Sequence, residues 1–149
     1  MTERLWTTAM VAARVFEAAD VLQRLPEERV QGYFSTWPEY PLNPNEAYGW
    51  SAPHMRPIPP APQGIDRMEE VFRWLNWLEP EDVRLVWMRA EGCPWKAICW
   101  RFGIGRATAH RRWEYALSVI AWRLDGRSVP TKRSRRVLVD RVRSASRGF

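Results

Sequence analysis

Apolar residues recur at helical intervals in four stretches of the chain, and each stretch ends at a residue that stops a helix. The first runs from about Glu3 to Leu25 and stops at Pro26. Leu5, Ala9, Ala12, Phe16 and Ala19 alternate four and three residues apart there, a narrow seam of mostly small side chains with Trp6 and Met10 beside it. Such a seam lets a second helix approach closely, either from the same chain or from another copy, so a monomer or a homodimer is expected. The second stretch spans about Ile65 to Leu78, with Ile65, Met68, Phe72 and Leu75 as its inner face, Trp74 and Trp77 widening that face, and Asp66 favouring its positive end. The third starts at Pro80 behind Glu79, with Glu81 and Asp82 in its first turn, and ends near Gly92. Val83, Val86, Trp87 and Ala90 form one face and Leu85 and Met88 another, which predicts cover on two sides, between the Ile65 helix and the stretch that follows.

That last stretch, Cys93 to Leu124, organises the rest. Pro94 suits the first position of a helix carrying Trp95, Ile98, Cys99 and Phe102; Gly103, Ile104 and Gly105 interrupt it; and a second helix runs from Arg106 to Leu124, before Asp125 and Gly126. Two helices joined by so short a glycine turn predict a helix-turn-helix. At about 100° per residue, Ala109, Trp113, Ala116 and Ile120 of the second helix point inward. Ala107, Thr108 and Arg111 then face outward on its first turns, with Arg106 at the N-terminus and His110 and Arg112 on either flank. A helix that enters the major groove needs short or forked readers in front and cations along its edges, because base edges specify and phosphates position. Arg111 fits guanine O6 and N7, Thr108 a base edge or phosphate, and Ala107 a thymine methyl. Lys96, early in the preceding helix, suits a backbone phosphate. Farther along, Tyr115, Ser118 and Trp122 continue the outer face, and two large aromatics there predict a cover. The cover is either the N-terminal helix or the proline-rich segment, or else a protein partner docking on Tyr115 and Trp122.

Ile98, Cys99, Phe102, Gly103, Ile104, Thr108 and Ala109, preceded by the acidic, proline-led helix from Glu79 to Glu91, resemble the helix-turn-helix of sigma-factor region 4. Through GYFSTWPEY, EAYGW, PAPQGIDRM and EGCPWKAICWRFGIGRATAHRRW the chain also resembles an uncharacterised-domain family of alphaproteobacteria and their phages, related to the sigma-like half of gene transfer agent activators. The resemblance implies transcription regulation of phage-like or gene transfer agent genes with bacterial RNA polymerase, by activation or antitermination. The chain departs from the pattern at Gly105, where related domains open the reading helix with Ser or Thr; a glycine offers no side-chain acceptor to the free N–H groups.

Composition adds two segments. Positions 32–64 hold eight of the twelve prolines, which breaks helices, yet they also carry Tyr33, Phe34, Trp37, Tyr40, Tyr48 and Trp50, so this irregular strap either packs along the helices or orders on a partner. Of the net +6, positions 126–149 supply eight Lys or Arg against one Asp, leaving the preceding residues near neutral. This basic tail, with Arg127, Lys132, Arg133, Arg135 and Arg136, follows a polyanion or merely solubilises the end. Its apolar kernel Val137, Leu138 and Val139 allows a basic helix on DNA, RNA or polymerase, or a mobile end. The expected organisation is therefore all-α: an N-terminal helix (1–31), the strap (32–64), a sigma region 4-like helix-turn-helix domain (65–125) and the tail (126–149).

Other functions find little in the chain. No phosphate loop, nucleophile elbow or spaced acid pair occurs, so no enzyme activity and no cofactor are expected. Cys93, Cys99 and His110 fall short of a four-ligand zinc set, and His54 stands alone in the strap. No apolar run reaches the roughly 18 residues of a membrane helix and no signal peptide is evident, so a cytoplasmic, nucleoid-associated protein is expected. The expected partners are double-stranded DNA and RNA polymerase. Two other readings stay open: a small terminase-like DNA-packaging subunit, and a polymerase-binding protein that does not touch DNA.

Overall fold

The computed structural model describes residues 5–26, 58–130 and 134–147. Six helices succeed one another, α1 (Thr8–Arg24), α2 (Pro62–Leu75), α3 (Pro80–Ala90), α4 (Trp95–Phe102), α5 (Arg106–Leu124) and α6 (Arg135–Arg147). No strand occurs among the described residues, as the all-α expectation required. Most of the strap lies outside them, including its six aromatic residues and His54.

The strap ends earlier than its composition implied. Pro62 occupies the first turn of α2, where its fixed φ is already helical and its missing N–H has no partner to lose, so α2 starts three residues before Ile65 and stops at Leu75. Prolines at helix starts recur in α3, which opens at Pro80, and in α4, where Pro94 holds the capping position just before Trp95.

α1 buries a different stripe from the seam read in the sequence. Its N-cap is Thr7, whose hydroxyl accepts a hydrogen bond from the Met10 N–H at 3.2 Å, so Leu5 lies before the helix. Val11, Val15, Ala18 and Val21 are buried, while Ala9 is exposed and Phe16 is 40% exposed. Of the seam only Ala19 is buried, and the packing of α1 on α2, α3 and α5 selects the valine face. α2 shows the same kind of shift: Met68, Val71, Trp74 and Leu75 are buried, and Phe72 sits at the edge, its ring 5.7 Å from that of Trp87 on α3.

Instead of lying across a finished core, α1 is part of its centre. It packs most extensively on α2 and also touches α3 and α5, while α3 rests on α1, α4 and α5. Trp6 meets Trp74 edge-on with centroids 5.3 Å apart, Arg14 lies 5.9 Å from both rings, and the Trp6 backbone N–H donates to Asp125 Oδ1 at 3.0 Å, tying the start of α1 to the end of α5. Arg67 reaches Glu17 through Nε and Nη2 at 2.8 and 2.6 Å. Solvent screens such exposed pairs, so they orient α1 on α2 more than they stabilise it.

α5 is embedded at one end only. Every residue from Ala116 to Trp122 is buried, which requires neighbours on all sides of the helix, whereas on its first turn and a half only Ala109 is buried. The neighbour that completes the enclosure is α6. Leu138 and Val142, four residues apart, bury one face of this basic helix in the main core, and the Trp122 indole N–H donates to Ser128 O at 3.0 Å in the segment leading to α6. Ser118 is fully buried and bonds back to Glu114 O at 2.7 Å. The chain's own tail thus covers the aromatic stretch of α5, a solution the sequence reading had assigned to α1, the strap or a partner.

Candidate nucleic-acid interface

The exposed end of α5 is set by the three-residue connection before it. Gly103 ends α4 in the left-handed region, φ 62° and ψ 35°, a conformation that costs an L-residue about 1–2 kcal/mol and a glycine little. Its N–H and that of Ile104 both turn back to Cys99 O. Gly105 is extended, φ −73° and ψ 159°, and caps α5 without a side-chain acceptor. Ile98 and Ala109 are both fully buried and fix the phase of the two helices, while Cys99 next to Ile98 is half-buried.

That phase leaves Arg106, Ala107, Thr108, His110 and Arg111 exposed, and Lys96 exposed on the first turn of α4. Arg111 Nε donates to Ala107 O at 3.2 Å, one turn back along its own helix. His110 stacks on Trp95 with ring centroids 4.0 Å apart, Arg89 covers the same indole at 4.9 Å, and Trp113 meets it edge-on at 5.9 Å. This stack holds the flank of α5 against α4. Arg112 is half-buried and turns toward α3, with Nη1 3.7 Å from Glu81.

The tail residues divide. Arg127 lies over Trp122 at 4.7 Å and Arg135 over Tyr115 at 4.9 Å, so each shields an aromatic ring. Arg136 is exposed, 4.0 Å from Asp140, whereas Lys132 and Arg133 lie outside the described residues. Trp122, only 9% exposed, offers no docking surface, and Tyr115 is half-buried beneath Arg135. Thr108, Arg111, Arg112, Glu114 and Tyr115 from α5 and Arg135, Arg136, Val139, Asp140 and Arg143 from α6 face one another across a groove of about 530 Å³. Asp82, at the start of α3, is buried beside Arg112 and Arg135; burial pushes its carboxyl above the ordinary range, and those two cations pull against the rise.

A family model described as "Domain of unknown function (DUF6362)" matches residues 23–120. The chain belongs to the DUF6362 family. The DUF6362 match takes in α2, α3, α4 and the projecting turns of α5, and it leaves out nearly all of α1 and the whole of α6. No curated protein and no solved structure matches the chain. Among the described residues of this DUF6362 protein no three His, Cys, Asp or Glu side chains group to hold a metal ion, and no helix is long and apolar enough to cross a membrane.

Two residues escaped the sequence reading. Trp100 is 87% exposed on α4, four residues from Lys96 and about 200° around the helix from Ile98, a position its spacing from Ile98 would have revealed. Arg143 pairs with Glu114 and pins α6 to α5. The signal for it was the Leu138–Val142 spacing, which makes the tail an amphipathic helix and puts Arg143 on the groove side.

Proposed function

We propose that this DUF6362 protein is a sequence-reading DNA-binding regulator of transcription, with α4 and α5 acting as a helix-turn-helix and the first turns of α5 entering the major groove. One observation carries the reading: Ala107, Thr108 and Arg111 are exposed together on the free end of a helix whose other end is locked in the core. Short readers with one forked donor suit base edges, and Lys96 and Arg106 border them as phosphate contacts. The uncapped N–H groups behind Gly105 favour an anion at the same end. The resemblance to sigma region 4 and to gene transfer agent activators supports a role beside bacterial RNA polymerase at phage-like genes, as activator or antiterminator.

The test begins with selection of bound sequences from random duplex DNA. On the enriched site, Arg111→Ala should cost on the order of 1–3 kcal/mol and relax preference at one base position. Equal losses on the selected site and on scrambled DNA would remove α5 from the groove. Light scattering adds a second check, since a ring of eight or more subunits would point to DNA packaging and against this reading. Occupancy mapped along the genome together with polymerase separates the two modes of control: signal confined to a start site means activation, and signal carried into the genes means antitermination.

A further inference from the structure

α6 meets α5 at Glu114 and Tyr115, one turn beyond Arg111, through the Arg143–Glu114 pair and the Arg135–Tyr115 contact. The helix therefore crosses where the projecting end of α5 begins, and the groove between them opens beside the exposed residues Thr108 and Arg111. Its walls carry five arginines, Arg111, Arg112, Arg135, Arg136 and Arg143, against only Glu114 and Asp140. Arg143 is engaged by Glu114 and Arg112 leans toward Glu81; among the described residues Arg111 has no acidic partner, and Arg135, though beside buried Asp82, forms no ion pair within 4.0 Å. Arg136 touches Asp140 only at 4.0 Å, with its side chain 90% exposed. A positive trench with so few internal counter-charges is built for a ligand that repeats its negative charge.

We infer that the α5–α6 groove is a clamp for the sugar-phosphate backbone of one DNA strand, with Arg135 and Arg136 of α6 as the phosphate contacts. This rests on the reading of α5 as the groove-entering helix. A helix about 10–12 Å across fills the major groove, so a second helix packed 8–10 Å from it lies over the flanking strand, not in the groove. Because α6 lies on one side of α5, the protein grips one flanking strand through it, and the charge of the tail acts from one defined wall instead of as a diffuse cloud.

The experiment uses the full chain and one duplex selected as above, with affinity measured from about 50 to 200 mM salt. Each phosphate contact contributes close to 0.9 to the slope of log affinity against log salt. Arg136→Gln should lower that slope by about one, and the Arg135→Gln/Arg136→Gln double variant by about two, which makes it about twelve-fold less salt-sensitive over that range. Arg141→Gln removes the same charge from the opposite side of α6, since Arg141 does not line the groove, and should leave the slope unchanged. The Arg135→Lys/Arg136→Lys double variant should keep the wild-type slope, and circular dichroism of each variant checks that its helix content is unchanged.

Equal effects of Arg136→Gln and Arg141→Gln would overturn the clamp while leaving α5 as a reader. Wild-type protein that binds no DNA at any salt would overturn both. Tripolyphosphate binding that disappears in the double variant, with the DNA slope unaltered, would assign the groove to a free polyphosphate and overturn the clamp as well.

Discussion

Replacing each of the two glycines between α4 and α5 should move stability in opposite directions. Gly103 has φ 62°, and a Cβ there meets nothing within 4 Å, so the whole penalty of Gly103→Ala is backbone strain. That penalty is about 1–2 kcal/mol, reduced by roughly 0.4–1 kcal/mol because alanine also restricts the unfolded chain, which leaves a net loss near 1 kcal/mol. Gly105 is extended, and a Cβ there also meets open space. Gly105→Ser therefore gains the unfolded-state term and a few tenths of a kcal/mol from a side-chain cap, a net gain of about 0.5–1 kcal/mol. The two variants should lie about 1.5–2 kcal/mol apart, roughly 3–8 °C in Tm for a chain of this size. Urea unfolding followed by far-ultraviolet circular dichroism measures the gap. A neutral Gly103→Ala, or a Gly105→Ser that loses as much as Gly103→Ala, would mean that the connection does not have this geometry.

Leu138→Ala empties a site that is 1% exposed and should cost about 2–5 kcal/mol in urea unfolding, and a surface-sized loss would detach α6 from the core. For Asp82 the folded-state pKa is raised, so the folded form binds more protons than the unfolded one, and stability falls as pH rises from about 4 through the folded value. Asp82→Asn abolishes that slope, so the variant should gain on the wild type between acid and neutral pH; a difference between the two that does not change with pH contradicts the burial account. Trp100→Ala, at an exposed position, should change stability by no more than about 0.5 kcal/mol, as thermal unfolding will show.

The parts that could be read from the chain were those decided locally. Glycines at 103 and 105 punctuate α4 and α5, and the bounds of α5 fall at Arg106 and Leu124 as its flanking residues required. The outward phase of Ala107, Thr108 and Arg111 followed from the inward spacing of Ala109, Ala116 and Ile120, all three fully buried. What escaped depends on distant partners. Two stripes of α1 compete, and only the neighbouring α2, α3 and α5 decide that Val11, Val15 and Val21 win. Pro62 looked like one more residue of a proline-rich run because a helix start and an extended segment ask the same φ of proline. Trp122 looked available because the chain just beyond α5 reads as a basic tail; there Arg127 folds back over its ring and Ser128 O accepts from its indole N–H.

The one-sided embedding of α5 makes it a cantilever. From Ala116 to Arg106 the arm, propped by α4 through Ala109 and the Trp95–His110 stack, is about 15 Å long, so a tilt of about 10° of this helix pair swings the tip by roughly 2.6 Å. A displacement of that size is enough to take a guanidinium out of hydrogen-bonding reach of its target. On the proposed reading of α5, core residues such as Val15, Leu117 and Leu138 set the aim of Thr108 and Arg111, and changes in the core should alter which sequence is preferred before they unfold the protein.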